Sequence, residues 1–582
     1  MSEPVSASSS SQGAAAGGKK VKQNKRPSPE EIEAKRRERA AKKEKEAADK
    51  VAKEAELAAA IAANGKIPNG HLDEHGNVLF VPRDWAHVSQ ARENSASAKQ
   101  KVRVVSWNIL AQGLVRRTLF PGSDCLKFKD RSVGLTAEFS SRTGHGWDVG
   151  CFQEVDRMDV HGETLDKDGF SYVYEKGYRQ KQHGLLVAWR RDLFGESAHK
   201  RMTIDLDAES VSAPSEPIRT ACSRVTRNVG LFVALTLRDS ATGDAGAKPG
   251  IIVATTHLFW HPMHAYERAR QSGILVRRLH EFRKELGAEW QDAPCILAGD
   301  FNDQPHSATY HLLAGRELTP HCHGEVSMSS VVHKSIDERR ERGGVSVGFA
   351  EGTTEVARNL PSTKSVAPST DSAAVEEQDQ QNAEEDAEEQ GEEGEGEEEE
   401  AEEEGGEPDD RMLKNCRAAT EEDALLSMDE LLQLHDVSRP RPGSARAQGD
   451  SGEATSAHLG SAYGLHYGHM SDPSEDGNFF GSPERGRERW DDPDWTPETP
   501  NCHTGDSTEP MWTIFSSLFC LTLDYIFMLP KVETSTEARA APSYPTVTRL
   551  LRTHRTETLQ PGVPRKGVCA SDHIAIGAEI EL

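Results

Sequence analysis

The sequence predicts a layered α/β domain interrupted by a long polar insertion. Three observations carry that prediction. Short apolar runs of strand length recur between Val102 and Ala298, with helical stretches between them. Core-like sequence then stops: roughly residues 345 to 425 are polar, acidic and poor in aromatics. Such a segment cannot bury enough apolar surface to offset the entropy of ordering it. Core-like sequence resumes near Leu518 and runs to Leu582. Strands and helices mixed in this way make layers of sheet and helix around one core.

The strands expected before the insertion are Val102–Trp107, Val149–Phe152, Leu185–Trp189, Val229–Leu237, Ile251–His257 and Cys295–Ala298. The clearest helix spans His264 to Leu286, where Leu275, Leu279, Phe282 and Leu286 recur at spacings of three and four. Leu426–Leu434 is expected as a short helix inside the insertion. Leu518–Leu529 and Ile574–Leu582 supply the last strands. The expected domains are therefore a basic low-complexity tail over 1–80, a first catalytic part over 81–340, a largely disordered acidic insertion over 341–504, and a C-terminal part over 505–582. In the tail, Met1–Gly18 is rich in Ser, Ala and Gly and is expected to be disordered. Ser28-Pro29-Glu30-Glu31 carries helix-start chemistry, and the charged run to Ala63 reads as a solvated helix. Lys19-Lys20-Val21-Lys22 and Lys25-Arg26 read as a nuclear address or an RNA-attracting arm.

The formal charge of −26 over 582 residues looks hostile to nucleic acid. It is local. Between Glu376 and Asp410 lie 21 acidic residues and no Lys or Arg, so the remainder carries only −5. An acidic block repels itself, stays solvated and says little about the active surface. Nine cysteines without metal-spaced pairs favour a reducing compartment, hence cytoplasm, nucleus or both. No apolar signal-peptide core opens the chain. Phe515–Leu529 is apolar but is only 15 residues long and contains Asp524. A membrane helix needs about 20 apolar residues. The stretch is expected as a buried strand, and no membrane partner is expected.

Polar clusters stand at the ends of these runs: Ser106-Trp107-Asn108, Gln153-Glu154, Thr256-His257, Gly299-Asp300-Phe301-Asn302 and Ser571-Asp572-His573. Strand ends gather at one rim of a sheet, so carboxylates, amides and imidazoles can meet there. Glu154 can serve a hard cation, which takes oxygen ligands and keeps several waters. Asp300 and Asn302, two apart, face the same way if the segment is extended, so one can activate water while the other holds a phosphate oxygen. His257 can donate to a phosphoryl oxygen as charge develops. Asp524 lies inside an apolar run, and a buried acid needs a partner. His573 is the expected one, oriented and charge-stabilised by that carboxylate. Zinc is not expected at His257 and His261, because Pro262 opposes a helix there, nor at His321-Cys322-His323, which is too compressed.

Taken jointly and in this order, these residues resemble the endonuclease/exonuclease/phosphatase superfamily. Within it, the chain is most similar to the carbon-catabolite-repressor-type deadenylases, nocturnin, angel and the fungal Ngl RNA exonucleases. The resemblance rests on Ser106 to Gln112, Phe152 to Asp156, Thr256 to Pro262, Gly299 to Asn302, Leu523 to Phe527 and Ser571 to His573. Pro564 to His573 and Glu267-Arg268-Ala269-Arg270-Gln271 look most Ngl-like. It covers about residues 80–340 and 505–582. It implies a four-layer sandwich of two mixed sheets flanked by helices, with the site at one end. It implies Mg²⁺, with Mn²⁺ as the alternative ion, held by Glu154 with Asn108 and Asp572 beside it. Asp300 would activate water, while Asn302 and His257 hold phosphate and His573, backed by Asp524, binds the scissile phosphate. Pro262 and Phe519 would clamp a base, and Arg270 would contact substrate.

Two positions depart from the deadenylase pattern, which has Asn where this chain has Ile514 and Gly where it has Leu521. The departures bear on adenine recognition more than on hydrolysis. The resulting expectation is a Mg²⁺-dependent 3′→5′ RNA exonuclease that takes an RNA 3′ end and releases nucleoside 5′-monophosphates, in RNA processing or poly(A) shortening. The alternatives are a phosphatase acting on a small phosphorylated molecule, such as a dinucleotide 2′-phosphate, and an inactive scaffold of the same fold. No leucine-rich-repeat docking module is expected.

Overall fold

The structure, a computed structural model, describes residues 71–88, 100–178, 181–209, 223–238, 249–337, 415–442, 457–470, 509–531 and 542–582, apart from 74, 468 and 469. Residues 1–70 of the basic tail, with its charged helix, and the acidic block from Glu376 to Asp410 lie outside the described residues; the end of that tail is described, and it buries Phe80.

The chain runs through β1 (Trp85–His87), β2 (Lys101–Asn108), α1 (Phe128–Phe139), β3 (Val149–Val155), α2 (Met158–Asp168), β4 (Phe170–Glu175) and β5 (Gly184–Arg190). Next come β6 (Lys200–Asp205), β7 (Val229–Thr236), β8 (Pro249–His257), α3 (Ala265–Leu286), β9 (Cys295–Asp300), α4 (Ala308–Ala314), α5 (Pro320–Met328) and β10 (Val331–His333). The remainder holds β11 (Cys416–Ala418), α6 (Met428–His435), β12 (Gly460–Ser461), β13 (Ile514–Phe515), β14 (Cys520–Leu521), β15 (Asp524–Met528), β16 (Val547–Leu551) and β17 (Ile576–Glu581). Seven strands form one sheet in the order β1-β16-β17-β2-β3-β5-β4, and six form the other in the order β12-β15-β9-β8-β7-β6.

Side-chain alternation explains why the two sheets stack. In β8, Ile251 and Val253 face the other sheet and join Val104, Cys151 and Val187, while Ile252 and Ala254 face away. Ile296 and Ala298 of β9 point inward, and Cys295 and Leu297 outward toward Leu275 and Leu279 of α3. Both faces are buried, so these strands read as continuous apolar runs. On the far side, Trp107 and Phe152 pack against Leu135 and Phe139 of α1. The result is four layers, helix, sheet, sheet and helix, as the resemblance implies.

Each sheet holds one parallel pair, β2 with β3 and β8 with β9. The ends of both pairs lie at the same rim. Asn108 pairs with Gln153, and His257 with Asp300. Antiparallel β15 starts there, with Asp524 opposite Asp300, and β17 starts opposite Ser106.

Three sequence expectations differ from the fold. β1, β4, β6 and β16 are not among the expected strands; the first three are sheet edges, where half-exposed polar residues dilute the apolar signal, and β16 is an interior strand of only five residues. Phe515–Leu529 is not one strand. Ser516 Oγ accepts from the backbone N–H groups of Leu518 and Phe519, and this turn folds β13 onto β14 before β15 begins. Finally, the interval 341–504 contributes to the core. Its expected helix is α6, whose Leu431 and Leu434 pack with α3, and β12 extends the second sheet beside β15. Among the described residues no helix is long and apolar enough to cross a membrane, and the described cysteines are free thiols.

Candidate active site at the rim of the two sheets

Asn108, at the end of β2, ties the sheets together. Its Nδ2 donates to Glu154 Oε1 at 2.9 Å and to Asp300 Oδ2 at 3.0 Å. Glu154 stands where the β3–β5 register breaks between Phe152 and Val155, with φ of 58°. The irregularity turns its carboxylate to the rim. Leu110 and Asn302 also have positive φ, so three of the strained positions among the described residues cluster here. Such strain costs on the order of 1–3 kcal/mol each and persists where surrounding structure over-determines it. Ala111 N–H donates to Glu154 Oε2 at 2.9 Å, so both oxygens are oriented.

Asp300 Oδ2 is the meeting point. His257 Nε2 lies 3.5 Å from it and His573 Nε2 lies 3.7 Å from it. His257 Nδ1 lies 3.9 Å from Glu154 Oε1. His573 Nδ1 is 2.8 Å from Asp524 Oδ2, the buried pair expected from the sequence. Ser571 Oγ donates to the carbonyl of Asn108 at 2.7 Å, which fixes the segment carrying Asp572 and His573 to β2.

Four carboxylates, Glu154, Asp300, Asp524 and Asp572, are buried together at this rim. Burial would raise Glu154, but the neighbouring His257 and His183, with the Asn108 and Ala111 hydrogen bonds, hold it down at about 2. Burial pushes Asp524 up to about 6, with His573 opposing and Asp300 adding to the rise. Burial also disfavours charge on His573, yet Asp524 and Asp300 outweigh it and hold the imidazole well above its ordinary value. Asp572 is raised by burial, with Glu154 and Asp300 adding repulsion.

This donor set fits a hard divalent cation. A dense group of buried carboxylate oxygens needs positive charge, and such a cation takes one or two carboxylates and retains water. Asp300, Asp524 and His573 also bring ligand atoms within 4.8 Å of one another. That trio is the poorer cradle, because the His573 ring sits between both carboxylates and serves as their counter-charge. Glu154 and Asp572, whose carboxylates repel each other, are the remaining oxygens of the rim that could hold a cation. Asn108 turns Nδ2, not Oδ1, toward Glu154, and its Oδ1 accepts from Leu110 N–H at 3.1 Å. It therefore orients the carboxylates rather than offering an oxygen.

The remaining expected residues divide. Asn302 is at the rim, but its segment is not extended: its N–H donates to Asp300 Oδ1 and its amide to Leu258 O. Pro262 is exposed. Phe519, 49% exposed at the β13–β14 turn, is not core packing. Arg270 is a correction. It is buried within α3 and paired with Glu267 at 2.7 Å, with its Nη2 also donating to Leu206 O. Its guanidinium holds the core together and does not face substrate. Sequence reasoning misses Lys176, Lys181 and His183, which line a cleft beside Glu154 and His257. Their only signal is a basic segment just before the strand Leu185–Trp189.

Residues 105–367 match the model of the Endonuclease/Exonuclease/phosphatase family. The RNA exonuclease NGL2 of Saccharomyces cerevisiae is 35% identical over 267 residues, which is 43% of this chain and 48% of that protein. A probable RNA exonuclease of Schizosaccharomyces pombe is 30% identical over 257 residues, 43% of this chain and 46% of that one. The chain spans about half the length of the curated relatives it matches. The crystal structure of ANGEL2, a 2′,3′-cyclic phosphatase, in complex with adenosine-2′,3′-vanadate aligns with a TM-score of 0.45 at 16% identity, covering 86% of this chain and 99% of that one.

Proposed function

This chain carries a domain of the endonuclease/exonuclease/phosphatase superfamily, and from that premise we propose a divalent-metal-dependent 3′→5′ RNA exonuclease releasing nucleoside 5′-monophosphates. The observation that carries the reading is Asp300 Oδ2, placed between Asn108, His257 and His573 with Glu154 across the rim. A bound Mg²⁺ or Mn²⁺ at Glu154 and Asp572 would polarise the phosphoryl group and stabilise its developing charge. Asp300 takes the proton of the attacking water, held in position by the Asn108 amide. His573, kept charged by Asp524, donates to a non-bridging oxygen, and His257 donates from the other side. The bond that breaks joins phosphorus to the 3′ oxygen of the preceding nucleotide, leaving the 5′-monophosphate.

RNA as substrate is supported by the names of the similar fungal proteins and by the surface beside the rim. Trp260, Leu518 and Phe519 are exposed at 61%, 53% and 49%. Stacking a base on an aromatic contributes roughly 1–3 kcal/mol and tolerates any base. The two departures from the deadenylase pattern are cross-strand partners: Ile514 pairs with Leu521 in the β13–β14 hairpin. A polar phosphate contact is replaced there by an apolar pair, so the reading is an exonuclease with weak adenine preference. The test is 5′-labelled oligo(A) and oligo(U) with Mg²⁺, with Mn²⁺ and with chelator. Stepwise 3′ shortening with release of 5′-monophosphates is expected only with metal. Internal cleavage, 3′-phosphate products or metal-independent turnover would overturn it.

A further inference from the structure

A cleft leaves the rim beside Glu154 and His257, walled by Lys176, Lys181, His183 and Val229. The reaction above uses none of those four. Lys181 Nζ donates to Arg227 O at 3.2 Å and Asn228 Oδ1 at 3.4 Å, both neutral oxygens. Burial disfavours its charge, and the acids that oppose this are Glu154 and Asp207. Both are engaged: Glu154 accepts from Asn108 and Ala111, and Asp207 accepts from Thr226 and Arg227 backbone N–H groups. An ammonium held by neutral oxygens keeps its charge available to an anion. The segment is also anchored, because Tyr178 OH donates to Asp205 Oδ1 at 2.8 Å and Asp207 Oδ2 at 3.3 Å. His183 adds a ring whose centroid lies 6.4 Å from that of His257.

We propose that this cleft is a second phosphate subsite, taking a substrate phosphate other than the one being hydrolysed. The proposal rests on the phosphodiesterase reading above. A lysine binds phosphate as a point charge, and two of them line this cleft, with Glu154 the one acid among its lining residues. The phosphate would be either the neighbouring diester of an RNA strand or a terminal monoester of a small molecule. A purely structural Lys181, pinning the segment to Arg227, would predict equal damage to every substrate.

The experiment compares kcat/KM of the full chain on three substrates. These are the dinucleotide UpU, the trinucleotide UpUpU, and UpU carrying a terminal 2′-phosphate. In Lys181→Gln the advantage of a second phosphate, taken as the ratio to UpU, should fall about tenfold or more, mainly through KM. Lys181→Arg should retain most of it. Lys176→Gln, at the cleft wall, should shift the ratio in the same direction and guards against a misfolded Lys181 variant. Loss confined to UpUpU assigns the subsite to a backbone phosphate, and loss confined to the 2′-phosphorylated dinucleotide assigns it to a terminal one. Equal losses on all three substrates, or an unchanged ratio in both Gln variants, would overturn the subsite. Wild-type protein that cleaves none of them would instead overturn the proposed function.

Discussion

Asp300 Oδ2 accepts from Asn108 and faces two imidazoles, and among the described residues no Lys or Arg pairs with it. That suits a base whose lone pair must reach a water. Asp300→Asn keeps shape and removes the base, so kcat should fall about 10²–10⁴-fold with KM little changed. A loss under about tenfold would make Asp300 a turn residue only. Glu154→Gln keeps the side chain's shape but removes the carboxylate charge. Folded protein without turnover is the expected outcome, and normal turnover by that variant would remove Glu154 from the cation site. A third residue tests electrostatics away from the rim. Glu325 is pushed from 4.5 up to about 8 by burial, with Asp303 adding repulsion. Its folded form therefore holds a proton that the unfolded chain has lost between those values. The stability it contributes is complete below about pH 4.5 and is lost as pH rises through about 8. Glu325→Gln still offers an acceptor to Ala308 N–H and cannot ionise. Thermal melts at pH 5 and pH 9 should show wild type losing more stability than Glu325→Gln; parallel losses would count against it.

At the scale of elements, α3 shows why part of the site is legible in the sequence and part is not. The apolar runs end where β2, β3, β8 and β9 end, so Asn108, Glu154, His257 and Asp300 can be assigned to one rim. Periodicity also finds α3 and its buried Leu275, Leu279, Phe282 and Leu286, but not that the first half of the helix is buried all round. Residues 265–277 of that helix are all buried, because α6 packs on Ser272, Gly273 and Arg277 while the segments of Leu206 and Ser223 cover Arg270 and Glu267. Arg270 cannot be recognised as a core residue until that cover is known. The same geometry explains Arg277, which donates from Nε to Leu434 O at 2.8 Å and from its other nitrogens to Gln433, Asp436 and Arg439 carbonyls. Those of Gln433 and Leu434 are orphan acceptors in the last turn of α6, and those of Asp436 and Arg439 belong to the chain just after it. Arg277→Ala should loosen residues 428–442, seen as faster hydrogen exchange there while β8 and β9 stay protected. Uniform exchange across the domain would contradict this. The β13–β14 hairpin behaves differently, since its tip is exposed. Phe519→Ala should raise KM for RNA by about 1–3 kcal/mol of binding energy. A buried Phe would instead cost about 3–5 kcal/mol of stability. A large drop in melting temperature with KM unchanged would exclude Phe519 from substrate contact.

At the scale of the molecule, the described residues on either side of 338–414, which end at Asp337 and resume at Asn415, lie side by side. Lys334 N–H donates to Asn415 O at 2.8 Å, β10 pairs with β11, and Arg417 bridges Asp337 and Asp423. The ends of the intervening chain are thus held together by described structure on both sides. Loop-closure entropy changes by only about 0.6 kcal/mol for each doubling of length. Deleting 356–410 should therefore leave the melting temperature and the cleavage of a short oligonucleotide nearly unchanged. Removing that acidic run also removes like-charge repulsion, so weak RNA binding should tighten, most clearly at low salt. Deleting 415–442 is the contrasting case, because Leu431 and Leu434 leave the core and Arg277 is left buried without its acceptors. That variant should fail to fold. Composition alone groups both segments into one insertion; what separates them is the apolar spacing of Leu426, Leu431 and Leu434 against the outer face of α3. If the 356–410 deletion were the one that unfolded, the acidic run would have to contribute to the core, and its ends would not be closed by β10 and β11.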